Sequence, residues 1–148
     1  MKFFCPGIPA PKGSARAFFV KSLGRAVITA ANAKTRPWEQ AIRAEAENAR
    51  ERAPATVAPV RVSATFFLPR PKGHFGARGL KPNAPRRFAK KPDLDKLVRT
   101  LFDALIGVAF VDDAQVDSVV ARKRFTDDGE PDPSMVPGVR VEVVEAGT

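Results

Sequence analysis

Cysteine and histidine are nearly missing from this chain of 148 residues, which has one of each, Cys5 and His74. A single cysteine excludes an intrachain disulfide and a Cys-rich zinc site. A single histidine removes His-pair metal sites, and any Ser-His-Asp or Cys-His arrangement would have to use His74. A metal, if bound, falls to carboxylates, whose hard oxygens suit Mg²⁺ or Mn²⁺. Long apolar runs are missing too: the longest, residues 105–111, has seven members, against about 20 for a membrane span. Met1-Lys2-Phe3-Phe4-Cys5 reaches Pro6-Gly7 before an apolar signal-peptide core can form. The expectation is a cytoplasmic protein with no membrane partner.

Acids are scarce relative to bases. Sixteen Asp+Glu face 25 Lys+Arg, a net charge of +9, and the pI is near 10.3. That excess points to a polyanion, and with the membrane weakened, to nucleic acid. Hydrophobic residues make up 44%, enough for one globular domain over residues 1–148 that buries roughly 70% of its extended surface.

Periodicity predicts five or six strands and two helices. Residues 2–8 read as a first strand, and residues 17–20 and 26–29 flank Ser22-Leu23-Gly24-Arg25 as a hairpin. Thr35 is the expected cap of a helix with Pro37 in its first turn. That helix puts Trp38, Ala41, Ile42, Ala46 and Ala49 inward and Glu39, Arg43, Glu47 and Arg50 outward. Val60, Val62, Ala64, Phe66 and Leu68 alternate as a strand. Residues 70–91 hold eight Lys or Arg and no acid, and predict a mobile basic loop in which Phe75 and Phe88 either anchor the loop or stack on bases. A second helix starts near Leu94 and stops at Gly107; residues 116–125 read as a basic strand, 127–134 as an acidic, Pro-rich connection, and Val139, Val141 and Val143 as the last strand. The fold class is α/β with α+β character: a mixed, mostly antiparallel sheet covered by two helices.

Chemistry concentrates in Lys91-Pro92-Asp93-Leu94-Asp95-Lys96, where two carboxylates sit at the start of the second helix beside the basic loop. Asp at a helix N-terminus also serves as a cap, so both readings stand. Asp95, Arg99 and Asp103 form one stripe, either a surface ion-pair ladder or a base that offsets charge on a phosphoryl transition state. Asp112 and Asp113 precede the basic strand. Five Asp therefore fall within 21 residues of a basic protein. If the helix packs antiparallel to the strand that begins near Val116, the Asp112–Asp113 loop need not lie far from Asp93. Crowded carboxylates holding a divalent ion beside a basic surface make the layout of a phosphodiester-cleaving site.

Lys91-Pro92-Asp93-Leu94-Asp95, Asp103-Ala104-Leu105, Gly107 and Asp112-Asp113-Ala114-Gln115-Val116 together resemble the RusA family of Holliday junction resolvases. Gly7-Ile8-Pro9-Ala10-Pro11-Lys12 and Arg16 resemble that family's N-terminal Gly-x-Pro-x-x-Lys element. The resemblance runs from about Phe3 to Val143. It implies a homodimeric, Mg²⁺-dependent endonuclease that makes paired nicks in four-way DNA junctions, leaving 5′-phosphate and 3′-hydroxyl ends, in recombination and repair on the nucleoid. The metal-binding, catalytic carboxylates map to Asp93, Asp95 and Asp113, with Asp112 a further metal candidate. Arg99 stands where the family usually carries a catalytic Lys, and Lys96 where it usually carries Asn. Arg keeps the charge, but its planar fork does not give up a proton.

Lys72, Arg78, Lys81, Arg86, Arg87, Lys90 and Lys91 of the loop are the expected phosphate contacts, joined by Lys12, Arg16 and Lys96. Trp38 is read as core and His74 as incidental. A non-catalytic DNA- or RNA-binding module would explain the charge and leave the acids unexplained. A restriction-type nuclease would share Pro92-Asp93 but lacks the acid-x-Lys element, since Asp117-Ser118-Val119 has no Lys two residues after the acid.

Overall fold

The structure, a computed structural model, describes residues 1–13, 16–29, 33–127 and 136–147, with the backbone alone at 16–18 and 27–29. In chain order the elements are β1 (Lys2–Pro6), β2 (Arg16–Val20), β3 (Arg25–Thr29), α1 (Thr35–Arg50), β4 (Val60–Leu68), β5 (Phe75–Gly76), β6 (Gly79–Leu80), α2 (Leu94–Leu105), β7 (Val116–Phe125) and β8 (Gly138–Glu145). The main sheet has the order β1-β8-β4-β7. β8 runs antiparallel to both β1 and β4, whereas β4 and β7 are parallel. Parallel neighbours need a long crossover, and the basic loop with α2 supplies it. The expected mixed, mostly antiparallel sheet with two covering helices is therefore the fold. All but Asp127 of the acidic connection lies outside the described residues.

Strand alternation sends Val60, Val62, Ala64 and Phe66 of β4 and Val139, Val141 and Val143 of β8 to the face that α1 and α2 cover. Helical spacing does the same for Trp38, Ile42 and Ala46 on α1, and for Leu97, Leu101, Ala104 and Leu105 on α2. Each of those fully buried leucines contributes about 2 kcal/mol relative to exposure, so the α2 stripe fixes how the acid-bearing helix sits on the sheet. Thr100, buried on the same stripe, satisfies its hydroxyl by donating to the Lys96 carbonyl at 3.2 Å. No helix among the described residues is long and apolar enough to cross a membrane.

Helix ends depart from expectation in two places. Thr35 does not cap α1: the cap position is Lys34, and the buried Thr35 hydroxyl donates instead to the Pro11 carbonyl at 2.6 Å, tying the helix to the segment after β1. Arg43 leaves the outer face of α1 and donates from Nη1 to the Ile106 carbonyl at 3.0 Å. A cation there satisfies a carbonyl at the negative end of α2. Gly107, at φ +80°, then turns the chain and donates to the Phe110 carbonyl at 2.7 Å, so the helix stops where the sequence placed the stop.

The basic loop is not the unstructured excursion expected from its composition. Residues Lys72–His74 form a 3₁₀ turn, and β5 pairs with β6 as a short hairpin. Arg70 anchors the loop. Its side chain is 6% exposed, and Nε lies 2.7 and 2.8 Å from the two Asp127 oxygens. The same guanidinium stacks 4.0 Å from the Phe125 ring centroid and donates to the Pro85 carbonyl at 2.6 Å.

Candidate active site

Asp93 occupies the N-cap position of α2, yet its side chain accepts no capping hydrogen bond. Its carboxylate faces Lys96 Nζ at 3.5 Å instead, with both side chains 46% exposed. The capping explanation for this aspartate therefore does not hold. Asp95 lies in the first helical turn and is exposed; it makes no ion pair or hydrogen bond with another described residue. Both acids stand at the end of a helix whose dipole favours negative charge. The approach to them is held from β7: Lys123 Nζ donates to the Lys90 carbonyl at 2.7 Å and the Pro92 carbonyl at 2.9 Å. The Lys91–Pro92 peptide is cis.

The expected Asp95–Arg99–Asp103 ladder does not form. Asp103 Oδ2 takes Lys12 Nζ at 2.8 Å, with Glu39 3.9 Å from the same ammonium. The Asp103 hydrogen bond holds the Lys12 pKa above its ordinary 10.5, against partial burial and the neighbouring Arg99 charge. Lys12 also donates its backbone N–H to the Lys96 carbonyl at 3.1 Å. The Gly-x-Pro-x-x-Lys segment thus packs along α2 as a brace, and its lysine is engaged with acids. Arg99 stays exposed, without an ion pair to either aspartate of its stripe.

Asp112 and Asp113 differ. The Asp112 carboxylate accepts from the Ala114 N–H at 2.8 Å and caps the 3₁₀ turn Asp113–Gln115. Gln115 closes this capping box and donates from Nε2 to the Thr56 and Ala58 carbonyls, both at 2.9 Å. The Asp-x-x-Gln spacing from Asp112 to Gln115 is the sequence signal of that box. Asp113 is exposed and makes no such contact with a described residue.

Their location corrects the expected proximity. α2 does run antiparallel to β7, but that places the intervening loop at the C-terminal end of the helix, whereas Asp93 is at its start. Lys123 near the far end of β7 meets Pro92, while Asp113 precedes Val116 at the near end. At 1.5 Å per helical residue, Asp113 lies on the order of 20 Å from Asp93 within one chain. Accordingly, no group of three metal-ligating side chains converges among the described residues.

The model of the family described as endodeoxyribonuclease RusA matches residues 8–143. The chain belongs to the RusA family. No curated protein sequence matches it. As a RusA family member it is an endodeoxyribonuclease, a hydrolase of DNA phosphodiester bonds, and Holliday junction resolution goes with that membership.

The cations expected to meet phosphate in this RusA protein stand on the surface of the loop. Lys72, Arg78, Lys81, Arg86, Arg87, Lys90 and Lys91 are all exposed. Lys96 is exposed but pairs with Asp93. The Arg16 side chain lies outside the described residues. Phe75 stays 46% exposed, while Phe88 packs on Phe125 with ring centroids 4.9 Å apart. His74, read as incidental, meets the edge of Phe125 at 5.7 Å and accepts at Nδ1 from Arg70 at 3.4 Å; a guanidinium has no acceptor, so the neutral ring carries its proton on Nε2. Arg70 carries no distinguishing sequence signal within a run of cations, and His74, the one histidine, has no second histidine or cysteine to mark a site.

Proposed function

We propose that this RusA family endonuclease cuts four-way DNA junctions by paired, Mg²⁺-dependent nicks that leave 5′-phosphate and 3′-hydroxyl ends. The observation that carries this reading is the Asp93–Asp95 pair: two carboxylates at the start of α2, neither used as a cap, beside an anchored basic loop. Their donor set fits the ion. Mg²⁺ takes one or two protein carboxylates and completes its shell with water and substrate phosphate. When bound, the ion supplies charge neutralisation at the scissile phosphate and a lowered pKa for the attacking water. Asp93 and Asp95 would hold the ion, and Lys96, 3.5 Å from Asp93, is the cation placed to meet the scissile phosphate. Arg99, one turn further along α2, offsets negative charge developing in the in-line transition state.

Asp113 joins this site only from a second copy. β7 is an edge of the sheet, with Val119 47% and Val120 46% exposed, and an unpaired edge is a template for association. Twofold antiparallel pairing of β7 with its counterpart about Val120 carries Asp113 of the partner subunit to the Phe125 end, where Lys123 holds Pro92. Each homodimer site then draws Asp93 and Asp95 from one chain and Asp113 from the other, and two sites face opposing strands of the junction.

The test is a labelled synthetic four-way junction incubated with and without Mg²⁺, beside linear duplex and Asp95→Asn. Symmetric nicks that require both the metal and Asp95 are expected, with junction binding retained by the variant. Wild-type cleavage rates from Asp95→Asn would overturn the site, and binding without cleavage in Mg²⁺ and Mn²⁺ would leave a binding module.

A further inference from the structure

Next to the acid pair, the anchored loop encloses a pocket of about 240 Å³. Its apolar walls are Phe125, buried at the end of β7, Phe88 inclined at 50° to it, and Pro71 and Pro85. His74 adds a ring edge. The lip carries three cations, Arg87, Lys90 and Lys91. Lys91 is two residues from Asp93, at most about 7 Å of extended chain.

Flat aromatic and proline walls below a ring of positive charge match one ligand chemistry, a nucleotide: a π-faced base to fill the interior and a phosphate for the lip. A purely apolar guest would leave the cations without a role, and a bare anion would leave the aromatic walls without one. The walls are also fixed before any ligand arrives. Arg70 stacks on the outer side of this cluster at 4.0 Å from Phe125 and ties Pro85 to Asp127. Lys123 holds the Lys90–Pro92 edge and lies 5.1 Å from the Phe88 ring centroid. Preformed walls lower the ordering cost of binding.

We infer that this pocket receives one unpaired nucleobase of the cleaved strand, next to the phosphate presented to Asp93 and Asp95. The inference rests on those two acids being the cleavage centre. It supplies a physical basis for choosing branched over linear DNA. Drawing a base out of an intact duplex costs both pairing and stacking, whereas a base beside a crossover has already lost part of its stack.

Binding measured without divalent metal tests this independently of cleavage. The probes are a four-way junction, the same junction carrying one abasic nucleotide stepped through the positions flanking the crossover, and linear duplex. One abasic position is expected to weaken wild-type binding about tenfold, in line with the loss of one base stacked on an aromatic side chain. Phe88→Ala should weaken binding of the intact junction equally and become insensitive to that abasic site, since both changes remove the same contact. Phe88→Leu, which keeps apolar volume without a π face, should behave alike if the alanine variant fails to fold. No abasic penalty at any position, or penalties that multiply, overturns the pocket; so does a Phe88→Ala effect confined to the dimer–monomer balance, which would mean a second copy covers it. Oligothymidylate with and without one abasic residue separates the two readings. A retained contrast there, with no preference for junctions, keeps the base pocket and sinks junction selectivity.

Discussion

Two inactive variants should restore each other. Asp95→Asn and Asp113→Asn homodimers are each expected to be silent, since each lacks one carboxylate in both sites. In a mixed dimer, one site combines Asp95→Asn with Asp113→Asn and is doubly disabled. The other takes Asp93 and Asp95 from the Asp113→Asn chain and Asp113 from the Asp95→Asn chain, and is complete. The magnitude follows from random association: an equimolar mixture holds about half mixed dimers with one intact site each, so about a quarter of wild-type sites survive. The products should be single nicks, because resolution needs both sites. The assay is nicking of a labelled junction after the two variants are co-refolded, compared with each alone. The motive is the separation, on the order of 20 Å, that α2 imposes between Asp93 and Asp113 in one chain. A mixture as silent as its parents would refute the shared site, and full activity of Asp113→Asn alone would remove that residue from it.

Arg70→Leu should lower stability by about 3 kcal/mol, the low end of what breaking a buried pair costs, because Asp127 keeps 24% exposure. For a chain of this size that is a fall of about 5–10 °C in Tm, and an unchanged melt would show the anchor to be dispensable. The raised Lys12 pKa means the fold holds this proton more tightly than the unfolded chain does. The stability lost in Lys12→Met should therefore be constant from neutral pH up to 10.5 and vanish as pH climbs past the raised value; urea titrations in which the difference grew with pH over that range would contradict the sign. Burial, reinforced by Glu45, pushes the Cys5 thiol from 9.0 up to about 11. Native protein should then resist a disulfide thiol reagent at about pH 8 and react fully in denaturant, with any native-rate labelling pointing to an open β1.

The fold was legible where one periodicity ruled. Val60 to Leu68 alternates, Leu97, Leu101 and Leu105 recur at helical spacing, and these positions became the core. Helix ends were read less well because they depend on contacts distant in sequence. Thr35 has a good capping side chain, but the Pro11 carbonyl takes its hydroxyl. Arg43 has the charge of an outer-face residue, but α2 ends within its reach. The basic loop shows the same limit. Its composition is that of a mobile segment, and nothing local marks Arg70, among eight cations, as the one that Asp127 and Phe125 bury.

The acid cluster was legible as a list and not as a place. Sequence proximity brought five aspartates within 21 residues, and the fold divides them by task. Asp112 caps a turn, Asp103 holds Lys12, Asp93 and Asp95 face solvent at one end of α2, and Asp113 does so at the other. A loop joining a helix to the antiparallel strand after it necessarily sits at the helix C-terminus, so residues at the two ends of such a unit cannot meet within it. That constraint makes the exposed edge of β7 informative. Under the proposed twofold pairing, a third carboxylate stranded at the wrong end of its own subunit would sit at the right end of its counterpart. A site divided in this way would be complete only when two chains are paired, which would couple metal binding to assembly and set two cleavage centres at a fixed spacing for one junction.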